Sequence, residues 1–236
     1  MIIIIMKRLI TFLFFLVPFC SIAQVPRRSY SNVSLQYIQP TDSIKDFLEG
    51  GFWGLNAGTQ IPIFNSPIEI GFDYAWCNFD SEDREFVLNY YQSFTGQYIY
   101  NNATIRFRNT NNRALCNVRI KPFNGLIQPY IDLVGGFESY RVSSDIITME
   151  GGYSATTGSN FQYFDITEVI GWSAGFRISS NEKLFIDFKF QNLISQPVNY
   201  IDLNSIIVID SQSINYTIKE ITPKKFVYQV GLSYTY

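Results

Sequence analysis

The segment KKFVYQVGLSYTY (224–236) alternates two kinds of side chain without a break. Phe226, Tyr228, Val230, Leu232, Tyr234 and Tyr236 fall on one side of an extended strand. Val227, Gln229, Gly231, Ser233 and Thr235 fall on the other, because strand side chains change face at every residue. The same period recurs in PIEIGFDYAWC, where Ile68, Ile70, Phe72, Tyr74 and Trp76 oppose Glu69, Gly71, Asp73, Ala75 and Cys77. GWSAGFRI sets Trp172, Ala174, Phe176 and Ile178 against Gly171, Ser173, Gly175 and Arg177. LFIDFKFQ sets Leu184, Ile186, Phe188 and Phe190 against Phe185, Asp187, Lys189 and Gln191. No helix of any length is legible, so the chain is all-β.

The alternation predicts strands near 31–39, 51–61, 67–79, 113–122, 127–142, 164–178, 183–195 and 224–236. The links IFNSP, PFNG and SSNEK are tight and carry the Asn, Gly, Ser and Pro that turns use. The links through 40–50, 80–112, 143–163 and 196–223 are long. Alternating short and long connections predict an eight-stranded antiparallel up-and-down transmembrane β-barrel, with short periplasmic turns, long extracellular loops and both termini periplasmic. A water-soluble calyx shares the alternation but turns its apolar face inward. Glycines on the polar faces suit the crowded inside of a small barrel better. Trp53, Tyr74, Trp76, Tyr228, Tyr234 and Tyr236 lie toward strand ends, where interfacial girdles form.

The amino end fits a membrane destination. Lys7 and Arg8 precede the apolar run LITFLFFLVPFC and then SIAQ, the order of a secretory signal. Cleavage is expected after Ala23, leaving residues 24–236 as the barrel domain. Lipidation at Cys20 is disfavoured, because Phe19 stands where a small residue is needed. Cys77 and Cys116 then remain, too few for a disulfide-stapled secreted domain. Net charge is −2 before Lys7 and Arg8 depart with the signal, and no basic patch suggests nucleic acid.

The signal with SIAQ, GLNAGTQIPI (54–63), IQPYIDLVGG (127–136) and the VGLSYTY ending together resemble the outer-membrane barrels of the OmpA/OmpX/OmpW type, in the version common among Bacteroidota. The resemblance covers essentially residues 24–236. It implies that Tyr228, Val230, Leu232, Tyr234 and Tyr236 form the strand read by the barrel-assembly machinery, with Tyr236 in place of the commoner Phe. TDSI (41–44) resembles an O-glycosylation acceptor of that phylum, which nominates Ser43.

The chain contains no histidine. Ser–His and Cys–His nucleophilic groups are therefore impossible, as are Cys/His zinc sites, and a non-enzyme without cofactor or metal is expected. Glu69, Asp73, Asp132, Glu138 and Asp187 share the predicted lumen with Arg119, Lys121, Arg177 and Lys189. A carboxylate-only hydrolase is the weaker reading of those acids. Buried charge is tolerable when paired, so they read better as an interlocked plug that fills the lumen.

Two surface stretches suggest partners. FVLNYYQSFTGQYIYNN (86–102) includes Tyr90, Tyr91, Tyr98 and Tyr100, a tyrosine-rich composition used by binding paratopes. Its plainer reading is that the third and fourth strands continue above the membrane. SIIVIDSQSINYTI (205–218) reads as a hairpin turning at 210–212, with Ile206, Ile207, Val208 and Ile209 exposed toward a protein. DSEDRE (80–85) reads as a solvated acidic loop; a divalent ion on Asp80, Glu82 and Asp83 is the weaker alternative. Cys77 and Cys116 fall on opposite faces and are expected as free thiols.

The favoured function is a structural or accessory subunit that docks other outer-membrane or surface proteins of a larger complex, such as secretion or motility machinery. Its expected partners are outer-membrane lipids, the assembly machinery and that complex. The alternative is a narrow OmpW-like channel for small or hydrophobic solutes.

Overall fold

The computed structural model describes residues 28–41, 50–64, 66–92, 97–150, 153–181, 183–202, 205–208 and 214–236. The expected signal and its cleavage site, Ser43 and Ile209 lie outside them. Eight strands form a closed antiparallel barrel: β1 (Tyr30–Thr41), β2 (Phe52–Pro62), β3 (Ile68–Gln92), β4 (Gln97–Ile120), β5 (Ile127–Glu150), β6 (Tyr153–Ser179), β7 (Leu184–Ser195) and β12 (Lys224–Thr235). Short strands β8 (Val198–Ile201), β9 (Ile207–Val208), β10 (Ile214–Asn215) and β11 (Ile218–Ile221) lie in the last connection. The barrel closes where β12 pairs with β1, from Tyr30↔Thr235 to Thr41↔Lys224. That closure explains the alternation of 224–236: the segment shuts the sheet and leaves no edge there.

The faces are sorted oppositely to those of a soluble protein. Val33, Leu35, Leu55, Ile70, Phe72, Ile131, Leu133, Ile170, Val230 and Leu232 are exposed on the outside. Asp73, Asp132, Glu138, Arg119 and Arg177 are buried inside. In water such an exterior is a continuous apolar surface far beyond the few hundred Å² that soluble monomers show. In lipid it is the required surface, and the closed sheet satisfies its own backbone. The fold is that of an outer-membrane β-barrel.

One end carries the tight turns and both barrel termini. Lys121 N–H donates to Pro67 O at 2.8 Å, Ser179 N–H to Leu126 O at 2.8 Å, and Thr235 N–H to Lys183 O at 2.8 Å. Phe64 turns the β2–β3 corner in the left-handed region, at φ 51°.

The opposite end departs from the expected boundaries. Residues 80–112 and 143–163 are largely strand, not loop. β3 and β4 stay paired to Gln92↔Gln97, and β5 and β6 to Glu150↔Tyr153. Tyr90, Tyr91, Tyr98 and Tyr100 belong by backbone to the top of the β3–β4 hairpin. β2 pairs with β3 only as far as Cys77 and β7 with β6 only as far as Val169, so β3–β6 continue upward as a four-stranded sheet. A bulge between Asn78 and Asp80 marks the departure on β3, and it reverses which residues face outward above it.

The last connection is also not a free projection. β11 pairs with β8 and β10 with β9, which makes a hairpin through 205–218, but its base folds over the barrel mouth. Val198, Tyr200 and Ile221 pack with Ile38, Cys77, Leu115, Val134, Tyr140, Val169, Leu193 and Val227. Ile201 and Ile206 pack with Ile105, Phe107 and Val142 on the inner side of the raised sheet. The expectation that Ile206 is exposed for a partner is therefore wrong. It is 5% exposed, because the sheet above the membrane has an apolar inner face that this connection covers. Ile207 is exposed.

Candidate functional site

The lumen is built by the inward residues of all eight barrel strands. Register places Glu69, Arg119, Asp132 and Ser173 side by side on β3, β4, β5 and β6. Arg119 meets Asp132 in a two-pronged pair, Nε to Oδ1 at 2.7 Å and Nη2 to Oδ2 at 2.8 Å. Ser173 donates to the same carboxylate at 2.7 Å. Arg119 also donates to the Tyr30 hydroxyl, which donates to Glu69 Oε2 at 3.2 Å. Lys121 completes this end, 2.5 Å from Glu69 Oε1. The guanidinium of Arg119 lies over the Tyr130 ring, 3.4 Å from its centroid, and that of Arg177 over Tyr30 at 3.6 Å. Such forks and stacked faces suit arginine and no other cation.

Other pairs cross the barrel. Lys189 on β7 donates to Asp73 on β3 at 2.8 Å, and Asn117 donates to the same oxygen at 3.1 Å. Tyr130 on β5 donates to Asp187 on β7 at 2.5 Å, with Ser233 of β12 at 3.3 Å. Lys225 on β12 reaches Glu138 on β5, whose other oxygen accepts from Tyr140. These struts occupy the bore, as the narrow interior of an eight-stranded barrel requires. Above them the apolar layer under β8 and β11 closes the mouth.

The structure brings together all the predicted lumen residues: Glu69, Asp73, Arg119, Lys121, Asp132, Arg177, Asp187 and Lys189 are buried, as is Glu138. It adds Arg113 and Lys225, which sequence reasoning passed over although their parity matches Arg119 and Val227. Tyr30 and Tyr140 were also missed, because tyrosine at a strand end reads first as an interfacial residue. Arg113 donates through Nη2 to Gln36 at 3.0 Å, while its Nε and Nη1 meet no acceptor among the described residues.

Tyr228, Val230, Leu232, Tyr234 and Tyr236 point outward from the closing region, all of them exposed. Cys77 is buried and Cys116 exposed, both as free thiols. Asp83 and Glu82 are engaged by arginines: Arg106 holds Asp83 through two bonds of 2.8 Å, and Arg84 lies 2.8 Å from Glu82. The hydrogen bonds from Arg106 keep the Asp83 carboxyl below the usual carboxylate range, and Asp83 in turn raises Arg106.

No family model matches the chain, and no curated protein matches it. Among solved structures, the attachment invasion locus protein Ail of Yersinia pestis aligns over 90% of this chain and 100% of its own, at 10% identity and a TM-score of 0.44. Neisserial surface protein A aligns over 90% and 100%, at 10% identity and 0.41. The outer membrane protease OmpT of Escherichia coli aligns over 91% and 100%, at 9% identity and 0.42. Identities this low speak to fold alone, and the eight-stranded antiparallel barrel stands on this chain's own strand pairing.

Proposed function

We infer that this chain is a non-enzymatic outer-membrane barrel that serves as a structural or accessory subunit, docking another outer-membrane or surface protein through the sheet above the lipid band. One observation carries the reading. β3–β6 rise past the ends of the other strands, and β3 above Cys77 has no strand on its outer side among the described residues. An unpaired edge presents a row of N–H and C=O groups that an extended segment of a partner can complete. A lumen crossed by paired side chains supports a scaffold more than a narrow channel. The absence of histidine supports a non-enzyme, since it removes the commonest proton-transfer group.

Photo-crosslinking tests the edge. A crosslinking amino acid at Ser81 or Glu85, both exposed, should capture one defined protein in intact cells. The same group at Val33, in the lipid band, is the control. Capture no different from the Val33 control would remove the docking reading.

A further inference from the structure

We propose that the upper lumen holds one small monovalent anion, a halide, on the guanidinium of Arg113. The charge count inside the wall calls for it. Among the described residues, six buried cations face the lumen: Arg113, Arg119, Lys121, Arg177, Lys189 and Lys225. Five buried acids stand against them: Glu69, Asp73, Asp132, Glu138 and Asp187. Asp145, also buried, belongs to Arg108 on the raised sheet. One positive charge is left over where bulk water does not screen it.

The pairing shows which cation carries the excess. Asp132 holds Arg119 at 2.7 Å, Glu69 holds Lys121 at 2.5 Å and Asp73 holds Lys189 at 2.8 Å. Arg177 stands directly opposite Asp187 in the β6–β7 register. At the upper end, Arg113 and Lys225 have one carboxylate between them. Glu138 is beside Arg113 in the β4–β5 register, yet its oxygens are taken by Lys225 and Tyr140. Arg113 instead crosses to β1 and gives Nη2 to the neutral Gln36 amide at 3.0 Å. Its Nε and Nη1 meet no acceptor among the described residues, although the side chain is fully buried. Cys77 and Tyr140, both close to it, belong to the apolar layer, which keeps the site dry.

The strands that Arg113 reaches supply further donors. Arg113, Ala75, Asn56 and Ser34 follow one another in a single inward row across β4, β3, β2 and β1. Ser34 Oγ and Asn56 Oδ1 are likewise without a partner among the described residues. The Ser34 hydroxyl can donate, and a half-turn of the Asn56 amide presents its Nδ2. Ala75, between Arg113 and Asn56, contributes only a methyl group. A buried water would satisfy these donors but leave the charge uncompensated, and a divalent anion would overshoot it. One halide matches both the donors and the count.

The test follows urea unfolding of the full barrel at constant ionic strength, as sodium chloride or bromide replaces sodium gluconate, whose anion is too large for the site. Constant ionic strength leaves the screening of surface charge unchanged. Above the dissociation constant, one bound ion predicts that each tenfold rise in halide lowers the unfolding constant about tenfold. Arg113→Met should abolish that dependence, whereas Arg119→Met should keep it despite its lower stability. Crystals of the parent barrel grown in bromide supply a measurement that needs no substitution. One anomalous peak should lie within hydrogen-bond distance of the Arg113 guanidinium. A parent barrel indifferent to halide, a dependence that survives Arg113→Met, or the lack of a bromide peak at Arg113 overturns the proposal; water then satisfies the guanidinium, and Glu138 serves both cations.

Discussion

At the scale of single residues, two buried arginines in one lumen are expected to contribute unequally. Arg119 spends its donors on Asp132 and Tyr30 and stacks on Tyr130. Replacing it by Met leaves Asp132 buried without its cation, a loss of about 3–5 kcal/mol. Arg113 has one neutral acceptor, Gln36, and two nitrogens without a partner among the described residues. Arg113 stands beside Glu138 in the β4–β5 register, but Glu138 keeps Lys225 when Arg113 is replaced, so Arg113→Met should cost well below Arg119→Met. Urea unfolding followed by heat-modified gel mobility compares the two; equal losses would show that burial alone, and not pairing, sets the value of a lumen charge. The acids and most of the cations were legible because inward parity is a local property of each strand. Which charge meets which was not. Lys189 finds Asp73 across 116 residues of sequence, and that meeting depends on the stagger with which the barrel closes.

At the scale of elements, adjacent glycines on β5 separate two requirements. A side chain at Gly136 would point inward, with its Cβ 2.1 Å from the Ala114 carbonyl oxygen and 2.9 Å from the Leu115 Cα. At Gly135 the nearest atom would be 3.9 Å away. Gly136→Ala should therefore cost about 1–3 kcal/mol, as overpacking against backbone does, whereas Gly135→Ala should unfold like the parent. The raised part of β3–β4 supplies a pH test. Because Arg106 depresses the Asp83 pKa in the folded state, the contribution of this pair is present above the ordinary carboxylate range and is lost as pH falls through the lowered value. Both side chains are well exposed, so global unfolding should hardly register it. Intrinsic amide exchange itself slows in acid, so the readout is the protection factor. Protection in 80–92, after correction for the intrinsic rate, should fall on acidification below the unperturbed carboxylate value, and Asp83→Asn should remove that dependence. The sequence concealed this raised sheet for a physical reason. Above the lipid band the outer face turns polar, through Asn112, Thr110, Arg108 and Arg106, while polar Asn111 and Asn109 still occupy inner positions. Contrast between faces fades there, and a strand looks like a loop. The inward turn of Ile206 was hidden by the same circumstance, since the apolar inner face that receives it lies on three other strands.

For the whole molecule, the question is whether one seal or two close the barrel. The apolar layer under β8 and β11 covers the mouth, and the polar struts fill the bore beneath it. The two depend on different physics. Apolar packing at the mouth can be removed by shortening one connection, whereas the struts are anchored on strands that also make the wall. Replacing 198–221 with a short Gly–Ser linker should therefore expose Cys77, Leu115, Leu193 and Val227, lower the unfolding midpoint, and leave planar bilayers non-conducting. Adding Asp73→Ala and Lys189→Ala removes a strut together with both of its charges, which avoids a stranded ion. Stepwise conductance should appear only in that combined variant. Conductance from the shortened connection alone would mean that the mouth is the sole barrier and that the chain is a channel held shut by its last connection. No conductance from either would leave Arg119, Tyr30 and Asp132 as a sufficient plug, because their chain of bonds ties β1, β4 and β5 together independently of Lys189.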